Sequence, residues 1–130
     1  MQFWMVAAVA LVALYFFFRG KSVMVPAEAV LSAGEAKKWI ASTRDVQILD
    51  VRTKMEYQQG HLPSCKLIPL QELQGRMKEL DTSKPLFVYC AHGNRSAVAL
   101  NLLQQNGFPG AKHLRGGIVS WHAEGLPVVR

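Results

Sequence analysis

Residues 85–105 read PLFVYCAHGNRSAVALNLLQQ, and this stretch decides the fold. The short apolar run Leu86–Tyr89, partly β-branched and aromatic, is typical of a buried strand. Apolar side chains recur at helical spacing over Ala97–Leu103, which predicts a helix. A short loop that begins with Cys90 and reaches Arg95 joins the two. The stretch therefore predicts a strand, a loop and a helix, with a cysteine at the end of the strand.

This loop has the composition of an anion-binding site. Gly93 permits backbone angles that other residues avoid, so successive N–H groups can point at one spot before the helix. Unpaired amides and the helix dipole favour a negative charge at that spot. Such a setting favours the thiolate of Cys90, and Arg95 adds a fixed positive charge. These features predict nucleophilic sulfur chemistry at Cys90; the alternative is an inert cysteine that only packs.

The N-terminal part of the chain is very different in composition. The run Phe3–Phe18 contains sixteen apolar residues and no charge. As a helix it would span about 24 Å, a little less than the roughly 30 Å hydrocarbon core of a bilayer. A cleaved signal peptide is the main alternative, but it would need a basic segment before the run. A buried core helix is another, although a helix that is apolar all round has no face for solvent.

We therefore predict a transmembrane anchor at 3–18, a linker at 19–29 and one domain at 30–130. Arg19 and Lys21 lie on the C-terminal side of the apolar run. The positive-inside rule then places the amino terminus outside and the domain in the cytoplasm. In a bacterium this membrane would be the inner membrane. Membrane lipid is accordingly one predicted partner.

Charge and cysteine content narrow the function classes further. The formal net charge is +6, and two of these charges flank the predicted anchor. Charges of both signs alternate without a basic run, so we expect a solvated surface and no nucleic-acid partner. Cys65 and Cys90 are the only cysteines, too few for a disulfide framework or a zinc site. A working thiolate suits a reducing compartment, and we expect neither a metal nor a cofactor.

Strands and helices alternate along the rest of the chain. Ser32 and Glu35 have the spacing of a capping box at a helix start, and Thr53 is placed to cap a short helix. Apolar spacing over Leu70–Leu80 predicts another helix, and the pair Gly116-Gly117 opens the last one. Five short strands are predicted between the helices: Val30–Leu31, Val46–Leu49, Lys66–Ile68, Leu86–Tyr89 and Ala111–Leu114.

This alternation predicts an α/β fold, with a mostly parallel five-stranded sheet and helices on both faces. In such sheets, ligands bind beyond the carboxyl ends of the strands. Asp50, the Cys90 loop and the segment 115–117 each follow a predicted strand. We therefore expect these three features to meet at one edge of the sheet.

In several motifs the chain resembles the single-domain rhodanese, or sulfurtransferase, family. Residues 90–96, CAHGNRS, are similar to the active-site loop C-x-x-G-x-R-S, and residues 114–121 to the element L-x-G-G-x-x-x-W. Other similar segments are Asp50-Val51-Arg52, Glu56-Tyr57, Gly60-His61-Leu62-Pro63, Ile68-Pro69 and Gly125-Leu126-Pro127-Val128. The resemblance covers roughly residues 30–129 and leaves the predicted anchor outside.

The resemblance implies a rhodanese-like fold and the transfer of a sulfane sulfur. A Cys90 thiolate would attack thiosulfate, or another small sulfur anion or persulfide, and become a persulfide. A thiol or a protein acceptor would then take the sulfur. The resemblance also implies that Arg95 holds the loop or the donor. The residues that it implies for substrate binding are Ala91, His92, Gly93, Asn94, Arg95 and Ser96.

Four polar residues outside the loop are also candidates for roles near the site. Asp50 at a strand end can support the loop, and Arg52 and Glu56 have the spacing of a local ion pair. We expect structural roles for these three residues. His61 is expected to lie in a turn with its ring hydrogen-bonded.

Two residues near the predicted site require a choice. His92 is expected to face the same site as Cys90 without acting as a general base, because a thiolate of low pKa needs none. Cys65 departs from the family pattern, since Ser64-Cys65 stands where the family commonly has Gly-Ala. We expect Cys65 to be a small buried residue; the alternative is a resolving thiol.

Two other functions are compatible with a cysteine loop. A cysteine phosphatase also binds an anion between cysteine and arginine, but its pattern places five residues between them, and this chain has four. A shorter loop fits one sulfur atom better than a phosphoryl group. The second alternative is a binding module or persulfide carrier that keeps the fold without turnover.

Overall fold

The computed structural model describes residues 25–130 and contains one sheet with helices on both faces. The strands are β1 (Val30–Leu31), β2 (Gln47–Asp50), β3 (Cys65–Leu67), β4 (Leu86–Tyr89) and β5 (Lys112–Leu114). The helices are α1 (Ala33–Ser42), α2 (Lys54–Gln58), α3 (Leu70–Arg76), α4 (Asn94–Gln105) and α5 (Gly117–Ala123). Short 3₁₀ turns cover Ala27–Ala29 and Met77–Glu79.

The sheet has the strand order β1-β5-β4-β2-β3, and all of its strand pairs are parallel. This confirms the predicted α/β fold. β4 lies at the centre, and its four residues are all buried. In the register of β2 and β4, Asp50 lies beside Tyr89, one residue before Cys90. The sheet therefore brings Asp50 and the Cys90 loop to the same edge, as the sequence predicts.

Both predicted helix starts are present with complete capping boxes. The Ser32 hydroxyl accepts from the Glu35 amide at α1, and the Thr53 hydroxyl accepts from the Glu56 amide at α2. The helix predicted over Leu70–Leu80 was too long, because regular α-helix ends at Arg76 and a 3₁₀ turn follows. The exposed Gly75, a weak helix former, lies where this change begins.

Apolar side chains form a core on each face of the sheet. One face packs β2 and β4 against α3 and α4, through residues such as Leu49, Leu73, Val88 and Leu100. The other packs against α1 and α5 and contains a large aromatic share: Phe87, Tyr89 and Trp121. Because side chains alternate along β4, Cys90 and Val88 face α4 whereas Tyr89 faces α5.

The predicted anchor at 3–18 lies outside the described residues, as does most of the linker at 19–29. Within residues 25–130, the structure contains no helix long and apolar enough to cross a membrane.

Candidate active site

The Cys90 sulfur is the acceptor for two backbone amides of its own loop. Gly93 N donates to Cys90 Sγ at 3.1 Å, and Ser96 N donates at 3.2 Å. Gly93 has a φ of 105°, a value that favours glycine, and it caps α4. The Cys90 side chain is buried where β4 ends and α4 begins. The loop thus has the geometry of an amide cradle around one sulfur atom.

Helix α5 supports this loop from behind. Its first-turn amides bond to the loop carbonyls: Ile118 N donates to Cys90 O at 2.9 Å, and Val119 N donates to Ala91 O at 3.2 Å. Gly117 has a φ of 63°, and a β-carbon there would overlap the Ala91 carbonyl. Glycine is therefore needed at position 117 for the close approach of the two backbones.

Arg95 points to Glu56 on α2, forming a two-pronged ion pair. Its guanidinium nitrogens lie 2.7 Å and 2.9 Å from the two Glu56 carboxylate oxygens. Hydrogen bonding from Arg95 lowers the pKa of Glu56 to about 2. The spacing of Arg52 and Glu56 suggested a local ion pair between them, and this prediction was wrong. Glu56 pairs with Arg95 of the loop, and Arg52 pairs with a different carboxylate. Arg95 therefore ties the Cys90 loop to α2.

That partner of Arg52 is Asp50, and the two form a buried pair beneath the site. Arg52 Nη2 lies 2.8 Å from Asp50 Oδ2 and also donates to Gly60 O at 2.7 Å. The Tyr89 hydroxyl donates to the same Asp50 oxygen at 2.7 Å. Burial, followed by the charge of Asp50, raises the pKa of Tyr89, so its hydroxyl remains a donor. The structural support expected of Asp50 and Arg52 is consistent with these contacts.

Replacing Glu56 with glutamine is expected to reduce the free energy of unfolding by about 1 kcal/mol at neutral pH. The side chains of Glu56 and Arg95 are each about one third exposed, so solvent screening limits the contribution of their ion pair to the free energy of unfolding. Because the folded-state pKa is below the ordinary 4.5, this stabilisation is complete above about pH 4.5 and is lost as the pH falls to about 2. Urea unfolding at neutral and acidic pH would measure both effects.

Glu35→Gln is the matched control for this experiment. Glu35 occupies the equivalent position of the α1 capping box, and glutamine preserves such a box. Its hydrogen bonds are made with Ser32, not with an arginine. Equal losses in the two variants would mean that the Arg95 pair adds nothing to stability.

The other predicted residues lie in several different environments. His61 is hydrogen-bonded through Nδ1 to Tyr57 O at 2.9 Å and stacks on the Tyr57 ring, as expected of a turn histidine. His92 is exposed, and within residues 25–130 no hydrogen bond joins it to Cys90. Cys65 is half-buried instead of fully buried, with Sγ 3.4 Å from the Tyr89 hydroxyl. Burial raises the pKa of the Cys65 thiol, which disfavours a resolving role.

Sequence reasoning missed His113 on β5. This histidine is 6% exposed, and its Nδ1 lies 3.0 Å from Ser96 Oγ, which itself lies 3.4 Å from the Cys90 sulfur. Its signal in the sequence was a histidine inside a predicted apolar strand, one residue before the Leu114-Arg115-Gly116-Gly117 segment.

A cleft of about 510 Å³ opens beside the loop. Ala91 contributes to it from the loop, and Ile118 and Val119 contribute from α5. Arg52, His122 and Arg130 add basic groups to its lining. The cleft thus places apolar walls, two arginines and a histidine next to the segment that holds Cys90, and the Glu56 carboxylate in its lining is paired with Arg95.

A parallel α/β sheet whose central strand ends at a thiol held by loop amides defines a class of cysteine-centred α/β domains. The family model described as Rhodanese-like domain matches residues 32–124, most of the chain. The chain belongs to the rhodanese-like family, which includes sulfurtransferases and sulfur carriers.

Two relatives and one solved structure illustrate this similarity. A protein named Sulfurtransferase from Allochromatium vinosum is 38% identical over 90 residues, 69% of this chain and 84% of the relative. Thiosulfate sulfurtransferase GlpE from Coxiella burnetii is 32% identical over 84 residues, 65% of this chain and 78% of the relative. The crystal structure of a rhodanese-related protein from Thermoplasma volcanium has a TM-score of 0.71 and 38% identity, covering 77% of this chain and 96% of that one. Some other relatives are longer proteins, of which the match spans 26% or 27%.

Proposed function

We propose that this protein is a sulfurtransferase that carries a sulfane sulfur on Cys90. The observation that carries this proposal is the pair of loop amides, from Gly93 and Ser96, directed at the Cys90 sulfur. N–H groups bond more strongly to an anionic acceptor than to a neutral one. The cradle would therefore favour the thiolate, which is the nucleophilic form of cysteine.

The proposed reaction has two displacements at sulfur. The Cys90 thiolate attacks the outer sulfur of thiosulfate, a new S–S bond forms, and sulfite leaves with the electron pair of the broken S–S bond. A thiolate or another thiophilic acceptor then attacks the outer sulfur of the persulfide, and Cys90 leaves as the thiolate. No external oxidant or reductant is needed, because the sulfane sulfur passes between nucleophiles.

The cleft supports an anionic donor. His122 and Arg130 line it, while Arg95 is occupied by Glu56. We assign the attraction of the donor to these cleft groups, and to Arg95 the task of holding the loop. The names of two relatives, a sulfurtransferase and a thiosulfate sulfurtransferase, support the same reaction class.

Turnover with thiosulfate and a small thiophilic acceptor, such as cyanide, tests this proposal. We expect repeated turnovers with thiosulfate and negligible hydrolysis of an aryl phosphate, because the loop between Cys90 and Arg95 is short. A single sulfur taken up without repeated release would favour a persulfide carrier. Phosphate hydrolysis faster than thiosulfate turnover would favour a phosphatase and contradict the proposal.

We also propose that residues 3–18 anchor the domain to a membrane, with Cys90 on the cytoplasmic side. The support comes from the charge-free apolar run followed by Arg19 and Lys21. Tethering would raise the effective concentration of the site near a membrane-bound donor or acceptor. A membrane-impermeant thiol reagent should then leave Cys90 unlabelled in intact cells; labelling before lysis would reverse the proposed orientation.

A protein that starts at Ser22 is expected to be soluble and to retain thiosulfate turnover close to that of the full chain. Residues 25–130 contain a complete sheet with a core on each face, and a chain of this length is in the usual domain range. Thermal unfolding and turnover would be compared with the full chain in detergent. A truncated protein that stays folded but loses most turnover would show that the first 21 residues belong to the site.

A further inference from the structure

A chain of hydrogen-bonded side chains leads from the Cys90 sulfur into the sheet. Cys90 Sγ lies 3.4 Å from Ser96 Oγ, and Ser96 Oγ lies 3.0 Å from Nδ1 of His113. The Ser96 hydroxyl also lies 3.2 Å from the Gly93 carbonyl oxygen. All three side chains of the chain are buried. Water therefore has little access to compete for these contacts.

The Ser96 hydroxyl has one proton to share among these neighbours. When Cys90 is a thiol, its S–H donates to Ser96 Oγ, and the Ser96 proton goes on to His113 or to Gly93. When Cys90 is a thiolate, it only accepts, and it gains a third hydrogen bond only if Ser96 donates to it. The Ser96 proton is then no longer available to His113. Nδ1 of His113 can therefore hydrogen-bond to Ser96 Oγ only by donating its own N–H.

The state of His113 is set by its surroundings. Burial, followed by the charge of Arg115, lowers the pKa of His113, which favours the neutral ring. A neutral imidazole carries one N–H, so the tautomer decides whether Nδ1 accepts or donates. The elements packed against β5 contribute few other ionisable groups that need to be considered. They are Glu28, which is exposed, Tyr89, which faces the opposite core, Cys90 itself, and Arg95, which is paired with Glu56.

We propose that His113 is a positioning residue for Cys90: with its proton on Nδ1 it donates to Ser96 and thereby directs the Ser96 hydroxyl at the thiolate. The proton lost by Cys90 is released to water, and the ring of His113 stays neutral. This inference rests on the proposed function in one respect, because it concerns the nucleophilic form of Cys90. It assigns a task to a residue outside the Cys90 loop.

Alkylation of Cys90 by iodoacetamide reports the thiolate without any sulfur transfer. In the full chain, the rate would be followed by the mass of the Cys90 peptide from about pH 5 to about pH 9. His113→Leu removes the donor, and we expect alkylation roughly tenfold slower near neutral pH, with the rate profile shifted to higher pH. His113→Asn keeps an N–H donor and should restore most of the rate.

A double-mutant cycle separates positioning from a packing effect. Ser96→Ala should slow alkylation about as much as His113→Leu, and the double variant should be no slower than Ser96→Ala alone. Additive losses, or an unchanged pH profile in His113→Leu, would overturn the proposal. Thermal unfolding of each variant shows whether the compared proteins are folded.

Nitrogen NMR of the wild-type side chain tests the proposal without any substitution. As Cys90 ionises, the His113 resonances should move to those of a neutral ring protonated at Nδ1. A ring that keeps Nδ1 unprotonated in the thiolate protein would overturn it. Neither measurement uses thiosulfate, so a normal His113 effect in a protein without turnover would reject the proposed function and leave this inference standing.

Discussion

Cys90→Ser is expected to lower thiosulfate turnover at least about 1,000-fold. A serine oxygen can still accept the Gly93 and Ser96 amide hydrogen bonds, so the loop should remain folded. Its hydroxyl, however, remains protonated and cannot form the persulfide. Turnover with thiosulfate and cyanide, measured together with thermal unfolding, separates the chemical loss from any loss of structure.

Cys65→Ser is the matched control for this experiment. Cys65 lies on β3, where its sulfur contacts the Tyr89 hydroxyl and not the Cys90 loop. Its turnover should stay close to that of the wild type. A large loss of turnover in Cys65→Ser, with normal turnover in Cys90→Ser, would mean that Cys65 is the nucleophile.

Gly117→Ala is expected to lower turnover about 100-fold, although the substituted atom touches no substrate. The new β-carbon would overlap the Ala91 carbonyl, so α5 and the loop would have to separate. The hydrogen bonds from Ile118 N and Val119 N to the loop carbonyls would then be lost. Displacement of the loop would move the Cys90 sulfur and its amide donors together.

Gly125→Ala distinguishes this overlap from simple backbone strain. Gly125 has a φ of 70°, close to the 63° of Gly117, but no atom outside its chain neighbours lies within 4 Å of a β-carbon there. It should therefore lose about 1–2 kcal/mol of stability from its backbone conformation and retain turnover. Equal turnover losses at both glycines would contradict the role given to the contact between α5 and the loop.

The fold was predictable because its signals are local. The apolar strand Leu86–Tyr89, the two capping boxes and the Gly116-Gly117 start of the last helix each follow from a few neighbouring residues. Strands that alternate with helices along the chain then predict a parallel sheet. The position of Cys90 between β4 and α4 was predictable for the same reason.

The partners of the site residues were not predictable, because they come from distant parts of the chain. Glu56 meets Arg95 only when α2 is packed beside the loop, and short sequence spacing wrongly suggested Arg52 as its partner. Tyr89 was assigned only to the apolar core, yet its hydroxyl bonds to Asp50. His113 reaches Ser96 because β5 lies next to β4 in the sheet, an order that the sequence does not state.

Mass spectrometry of the intact protein after brief incubation with thiosulfate tests the central claim most directly. We expect one added sulfur atom, located on the Cys90 peptide, that is removed by cyanide and does not appear in Cys90→Ser. Cys65→Ser should acquire the same single sulfur. A protein that gains no sulfur, or an added sulfur that persists in Cys90→Ser, would contradict the assignment of Cys90 as the sulfur carrier.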